Sequence, residues 1–510
     1  MKRNTACGEC NGILLVYPDS KEAALGSPGF RQVYRTLAGL PDTVVDWGWY
    51  DNKKDTIEYE CREWFGEYDS IAISVPFELL YGNTVRILTA LGIEPEKEKR
   101  SRVKPVVITG GAAPTINPSV AGVIADVVCV GEIETHISYK LNKFISNHQS
   151  GAAKRLTPMI GMKIPMKNRA APDSILISDK IDSSMLAGFD NPALCTFKDA
   201  GLVEVGRGCS RGCRFCAAGH IYLPVRHRPV DNILRDASTF SGKAKRIGLV
   251  GAALSDHRSL KEILRGILDL GFGLSTSSFR ADMLDDEVAL LLKQGGVKTV
   301  TIAPEGGSER IRSIINKRLT EKQILDAAES CRRAGIGGLK LYYMIGLPWE
   351  KQSDIGAIID LTAKIRDTFQ GKGKKITVSI NPFIPKPQTP FQWYGMAEPS
   401  YINSVYRDLK KAFIRMRGIT LKTMSVRTAF MEAVISLGDE AVGRAVIDSN
   451  RADIPWKKAL EVHGVDVYNL VHRMKAPDEK FSWDNVTGEK RKAVLFASFE
   501  KAQQTASTIS

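Results

Sequence analysis

Three cysteines stand within eight residues in Gly208-Cys209-Ser-Arg-Gly-Cys213-Arg-Phe-Cys216. Three thiolates at this spacing can each take one iron of a cubane iron–sulfur cluster, leaving the fourth iron open to a further ligand. Zinc is the other metal such a loop could hold, but it needs a fourth donor, and His220 is near enough in sequence to serve. Cys7 and Cys10 form a second Cys-x-x-Cys. That pair could be half of a mononuclear iron or zinc site, a redox dithiol or two idle thiols. No further pair lies close in sequence, so no metal is expected there. Cys61, Cys129, Cys195 and Cys331 are scattered and expected in the core.

The elements that must position the triad follow from the apolar pattern. Strands are expected at Gly12–Tyr17, Thr43–Trp47, Ser70–Val75, Pro105–Thr109 and Asp126–Val130, with helices near Phe30–Leu37 and Tyr81–Leu91. This alternation predicts a doubly wound, Rossmann-like parallel α/β unit over residues 1–150. Small residues follow the strand ends, as in Gly110-Gly111-Ala112-Ala113 and Gly131-Glu132. A bare backbone there lets a ligand approach closely. Residues 151–198 carry four prolines and read as a connecting segment.

A second series begins at Leu202–Val205 and continues at Arg246–Val250, Gly273–Ser277, Thr299–Ala303, Gly338–Met344 and Ile376–Asn381. Six such units over 199–398 predict a partial (β/α)6 barrel whose site faces the strand carboxyl ends, and the triad follows its first strand. From 399 to 510 the chain reads as a mostly helical domain.

The 510 residues carry a net charge of +14, with 43% hydrophobic and 25% charged residues. That excess suits anionic partners, and nucleic acid stays among them. There is no secretory pattern and no apolar run long enough for a membrane helix, so a cytoplasmic protein without a membrane partner is expected. Nine cysteines in that compartment point to metal or redox work before disulfides.

The Cys-x3-Cys-x2-Cys loop with an aromatic before its last cysteine resembles the radical S-adenosylmethionine (SAM) superfamily. Ser275-Thr-Ser-Ser-Phe-Arg280, Ala303-Pro-Glu-Gly-Gly-Ser308 and Met344-Ile-Gly-Leu-Pro348 agree with it in order. The resemblance implies a [4Fe–4S] cluster on Cys209, Cys213 and Cys216. It also implies SAM contacts from Phe215, Ser278, Arg280, Glu305 and Ile345. Arg280 would meet a carboxylate or ribose hydroxyl, and Glu305 a ribose or amine.

With an α/β unit in front, the chain is similar to the cobalamin-dependent, class B members of that superfamily. Thr109-Gly-Gly-Ala-Ala-Pro114 and Val130-Gly-Glu-Ile133 look like their Gly-Gly-Pro and Gly-Glu-Gly-Glu stretches, although Ala112, Ala113 and Ile133 depart from the pattern. Further matching stretches are Cys213–Arg226, Gly248–His257 and Pro382–Pro390. The implied cobalamin contacts are Tyr17, Ser74, Val75, Phe77, Tyr81, Gly110, Gly111, Gly131 and Glu132. No histidine follows an Asp at two residues, which argues against a histidine ligand to cobalt.

The activity this resemblance implies is transfer of a methyl group from methylcobalamin to an unactivated sp3 carbon, with a ferredoxin or flavodoxin as electron donor. The acceptor it implies is a protein residue modified after translation, such as a glutamine of methyl-coenzyme M reductase, gripped by the basic tail from about Tyr401. The alternatives are an RNA-modifying methylthiotransferase, which would want a second cysteine triad in the first unit, and a cobalamin or redox sensor. No catalytic side chain is assigned.

Overall fold

The computed structural model describes residues 10–61, 63–64, 66–100, 105–134, 162–163, 199–452 and 454–509. Cys7, Cys195 and nearly all of the connecting segment lie outside them. Among the described residues no helix is long and apolar enough to cross a membrane.

The first unit is a seven-stranded sheet. Its strands are β1 (Asn11–Tyr17), β2 (Thr43–Asp51), β3 (Thr56–Cys61), β4 (Ser70–Ser74), β5 (Val106–Gly110), β6 (Val127–Cys129) and β7 (Met162–Lys163), in the order β3-β2-β1-β4-β5-β6-β7. The five inner strands are parallel, and β3 and β7 are antiparallel edges. The order is flavodoxin-like rather than that of a dinucleotide-binding Rossmann sheet, with its switch point between β1 and β4.

Every residue of β1 is buried, which explains its unbroken apolar run. Strand β3 was not expected. Its Thr-Ile-Glu-Tyr-Glu pattern is half polar because only one face of an edge strand needs cover. Leu14, Val16, Ile71 and Ile73 point to one sheet face and pack into the large core. Ile13, Leu15, Tyr17, Ala72 and Ile108 point to the other, where the helix Pro28–Ala38 packs beside Val45 and Trp47.

The second unit carries six parallel strands: β8 (Ala200–Arg207), β10 (Arg246–Gly251), β11 (Gly273–Thr276), β12 (Thr299–Glu305), β13 (Gly338–Ile345) and β14 (Lys375–Pro382). The two-residue β9 (Arg226–His227) lies antiparallel on β8. A single bridge, Phe279 to Ile302, joins the β8–β11 half to the β12–β14 half. The tail adds a strand that sequence did not suggest, β15 (Ile419–Thr423), parallel to β14. The rest of the tail is helical, as expected.

The tail is built into both units rather than standing free. Its helix Glu440–Arg451 packs on the first unit so closely that a Cβ on Gly443 would lie 2.9 Å from Val123. Asn117 Nδ2 donates to the carbonyls of Ser436 (3.0 Å) and Gly438 (2.7 Å). Gln388 Nε2 donates to the carbonyls of Thr115 and Ile116. Lys386 sits between Glu78 (2.6 Å) and Glu432 (2.8 Å), and Ser436 Oγ also donates to Glu78. Burial by itself would lower the Lys386 pKa, but the two carboxylates hold it above the ordinary value.

Lys386→Met leaves two buried carboxylates without a counter-ion and should cost roughly 3–5 kcal/mol, read as a lower unfolding midpoint. Adding Glu78→Gln and Glu432→Gln should recover most of the loss. An unchanged midpoint in the single variant would show that the triad is no clamp.

A second prediction concerns Glu350, which accepts from Gly346 N (2.7 Å) and Tyr401 OH (2.8 Å) and ties the end of β13 to the tail. Burial pushes its pKa up from 4.5 to about 7, although these hydrogen bonds oppose the shift. A carboxyl with a raised folded pKa takes up a proton on folding. Its contribution is therefore complete below 4.5 and lost as pH rises to about 7. In thermal unfolding across that window, Glu350→Gln should decline less with pH than the wild type.

Candidate functional site

The triad loop leaves β8 through Gly208, at φ +79°, where a Cβ would lie 2.3 Å from the Tyr222 carbonyl. Only glycine fits that turn. Other barrel loops then fasten the segment. Asn316 Nδ2 donates to the carbonyls of Gly212 (2.8 Å) and Arg211 (3.3 Å). Arg214 donates from its backbone to Ile315 O and from its guanidinium to Ile314 O (2.5 Å) and Ser313 O (3.2 Å). Phe391 N donates to Arg214 O. Arg211 pairs with Asp256 at 2.7 Å and with Asp282 at 3.5 Å. Beneath the loop Phe215 packs against an aromatic cluster that includes Phe391, Trp393 and the tail residue Phe499.

Cys209, Cys213 and Cys216 are free thiols of intermediate exposure. Burial pushes Cys213 up to about 11; Lys317 and Arg280 pull it back, while Cys216 and Glu305 push it further. These five groups share one neighbourhood. Burial also raises Cys216, while the amides of Gly219 and Ala218 donate to it and oppose the shift.

Among the described residues no three His, Cys, Asp or Glu side chains converge on the point that one metal ion would occupy. His220, the zinc alternative, engages its Nε2 with the Cys213 carbonyl at 3.2 Å. Thiolates of a cubane each bind a different iron and need no common point. Three thiols whose neighbouring histidine is engaged elsewhere fit a cluster with one open iron better than a four-donor zinc.

The expected SAM contacts divide. Glu305 ends β12 at φ +69°, a conformation disfavoured for a side-chain-bearing residue, and accepts from Lys317 Nζ at 3.2 Å. Arg280 is engaged by Asp282 (3.0 Å) and the Lys317 carbonyl (3.0 Å), so its first role here is to brace the site. Ser278 is exposed in the loop after β11. The Ile345 side chain is buried, and its carbonyl accepts from Phe383 N. Sequence reasoning missed Asn316, Lys317 and Asp256. Asn316 and Lys317 act through loop geometry that leaves no local spacing signal, and Asp256 lay unremarked within the Gly248–His257 stretch.

Between the units lies a cavity of about 590 Å3. Its upper wall is the second face of the first sheet, through Leu15, Ala72, Ile108 and Cys129, with Ser74, Gly110 and Gly111 at the strand ends. Its floor is β8, β10 and β11, through Leu202, Glu204, Gly206, Gly248 and Val250. The walls are mostly apolar, and among the described residues no histidine lines them.

Of the expected cobalamin contacts, Ser74, Gly110, Gly111, Gly131 and Glu132 line this cavity, and the other four do not. Tyr17 packs edge-on against Phe30. Val75 and Tyr81 are core residues, and Phe77 lies 5.9 Å from the Lys386 ammonium. Glu132 is an ion-pair partner across the gap: it binds Arg226 at 2.6 Å and Arg207 at 3.2 Å, while Arg207 also holds Glu134 and Glu204.

Residues 203–362 match the radical SAM superfamily, and residues 32–161 match the N-terminal region of radical SAM proteins. An uncharacterised protein of Methanocaldococcus jannaschii is 28% identical over 437 residues, which span 85% of this chain and 90% of that protein. An uncharacterised methyltransferase of Pyrococcus horikoshii is 29% identical over 171 residues, 32% of this chain and 37% of that protein. The tRNA-2-methylthio-N(6)-dimethylallyladenosine synthase of Bacteroides fragilis is 26% identical over 154 residues, 28% of this chain and 34% of that protein. The chain thus spans little more than a third of either of these last two. The apo structure of the cobalamin-dependent S-adenosylmethionine radical enzyme OxsB matches with a TM-score of 0.50 and 12% identity, over 98% of this chain and 80% of that one, a likeness of fold. The superfamily match falls on the barrel whose first strand leads into the three thiols, so that residues 203–362 carry a radical SAM domain.

Proposed function

We propose that this enzyme transfers a methyl group to an sp3 carbon, with a [4Fe–4S] cluster on Cys209, Cys213 and Cys216 and cobalamin in the cavity between the units. The observation that carries the reading is the shared mouth. The loop Gly206–Gly208 that leads to the triad is itself part of the cavity floor. When bound, the cluster with SAM supplies a 5′-deoxyadenosyl radical and the corrin a transferable methyl group.

The chain's own residues do the holding. Three thiolates bind three irons, and the amides of Ala218 and Gly219 favour the charged form of Cys216. Lys317 beside Glu305 places a cation and an anion next to Cys213, a pair suited to the carboxylate and amine of an amino acid. The aromatic cluster under Phe215 keeps that flank dry. Gly110, Gly111, Gly206, Gly248 and Gly251 leave flat backbone on both cavity walls, and a broad macrocycle can lie against it.

Likeness to a tRNA methylthio-synthase over 154 residues favours a second reading, RNA modification. It lacks the second cysteine triad in residues 1–150, where the sequence holds only Cys7, Cys10, Cys61 and Cys129. The protein acceptor implied by the family resemblance relied on a gripping tail. With much of that tail packed on both units, the acceptor is better read from the barrel interior.

Anaerobic reconstitution should give four irons and one cobalt per chain, and 5′-deoxyadenosine on reduction with SAM. Iron without cobalt would sink the methyl-transfer reading and spare the radical core. Cys213→Ala should lose the visible iron–sulfur absorption and nucleoside formation together; retained cleavage would refute the ligand assignment. Asn316→Ala frees two carbonyls of the triad loop. It should release iron to a chelator at roughly 10- to 100-fold lower chelator concentration, with cysteine count and fold unchanged.

A further inference from the structure

The cavity floor is only half of the barrel's inner surface. The other half is β12, β13 and β14. Along β13, Leu339, Leu341, Tyr343 and Ile345 are buried toward the helices, and Thr362 of the helix Gln352–Thr368 donates to the Tyr343 hydroxyl. The two-residue period of a strand therefore turns Lys340, Tyr342 and Met344 inward. Register places Thr301 of β12 and Thr377 of β14 beside Lys340, Ser379 beside Tyr342, and Asn381 beside Met344. All of these inward residues are half-exposed, as the lining of an open lumen would be.

Their chemistry is one-sided. Lys340 Nζ donates to the Tyr342 hydroxyl at 2.7 Å and lies 4.6 Å from the ring centroid. Among the described residues no carboxylate pairs with this ammonium. The side chains of Thr301, Thr377, Ser379 and Asn381 likewise make no hydrogen bond among the described residues. The Tyr342 oxygen, having accepted from the ammonium, still has its own hydrogen to give. An ammonium on an inward-facing wall, with no carboxylate paired to it among the described residues, is costly once a ligand displaces the water around it. A neutral ligand would leave that cost in place, whereas an oxyanion would remove it and would accept from the surrounding hydroxyls.

We propose that this wall binds an oxyanion of the substrate, a carboxylate or phosphate, with Lys340 as its counter-ion and Tyr342 orienting the ammonium. The inference rests on the reading of the mouth as the reaction centre. Tyr342 stands three residues before the end of β13, roughly 10 Å below the mouth at about 3.3 Å per residue. The acceptor is then a small molecule whose reacting carbon lies about that far from its anionic end. The ammonium leans toward Tyr342 and hence toward the mouth.

The test uses the full chain and needs neither cluster nor cobalt, so it stands apart from the metal analysis that tests the functional reading. Pyrophosphate and citrate serve as phosphate and carboxylate probes, with glucose as the neutral control, each titrated against thermal unfolding. One of the two anions should raise the midpoint saturably, glucose should not, and the responding probe identifies the anion's chemistry. Lys340→Met should weaken that response at least tenfold, Tyr342→Phe less, and Lys340→Arg should restore part of it. Lys410→Met, which removes a cation from the outer helix Pro399–Ile414, should leave it unchanged. An equal response in Lys340→Met, or no saturable response to either anion in the wild type, would overturn the proposal. Should Lys340→Met unfold, Tyr342→Phe and Lys340→Arg still decide the matter: both indistinguishable from wild type would count against it.

Discussion

Glu132 meets Arg226 and Arg207 across the gap between two α/β units, and the geometry of the site depends on that contact. Strand carboxyl ends are where both kinds of sheet bind ligands. Here the two sets face one another, so that a group held on one can react with a group held on the other. The ion pairs are largely buried and bidentate at Arg226, which fixes orientation as well as distance. A second set of contacts, around Lys386 and Gln388, repeats the fastening on the far side through the segment after β14. The first fastening borders the cavity, whose lining includes Glu132, Glu134, Glu204 and Arg207.

Five of the eight positive-φ side-chain-bearing residues among the described residues lie in the barrel or the segment after it. Glu305, Asn316, Arg318, Trp349 and Gln388 all adopt positive φ, and each lies in a loop at or beyond a strand end. Such conformations cost of order 1–3 kcal/mol apiece. They persist because each is tied elsewhere: Asn316 to the triad loop, Glu305 to Lys317, Gln388 to the first unit. The tail helices and the aromatic cluster around Trp393 supply the packing that holds these loops in place. A tail that looked like an arm for a partner is therefore part of the scaffold.

Much of this was legible in the sequence because its causes are short-range. Three thiols in eight residues mark a candidate cluster loop by their spacing alone. The buried run of β1 and the regular return of apolar segments specify parallel strands, since a strand covered on both faces has no room for polar residues. The glycines at the ends of β5 and β6 and before the triad mark close approaches that only a bare backbone permits. Strands β3 and β15 escaped notice for the opposite reason, since an edge strand is half polar and carries little signal.

What only the tertiary structure decided is which charged groups meet. Arg280 and Glu305 read from sequence as ligands to a nucleoside, yet Arg280 braces Asp282 and Glu305 holds Lys317. Glu132 read as a cofactor contact and pairs with Arg226, 94 residues away. Arg214 reaches carbonyls about a hundred residues on, at Ser313 and Ile314. No local pattern encodes such pairings, because a side chain's partner is set by the packing of whole elements and not by its neighbours in the chain. The sequence determined the chemistry available to the barrel; the fold determined which charged groups are already in ion pairs and which, like Lys340, meet a hydroxyl and no carboxylate among the described residues.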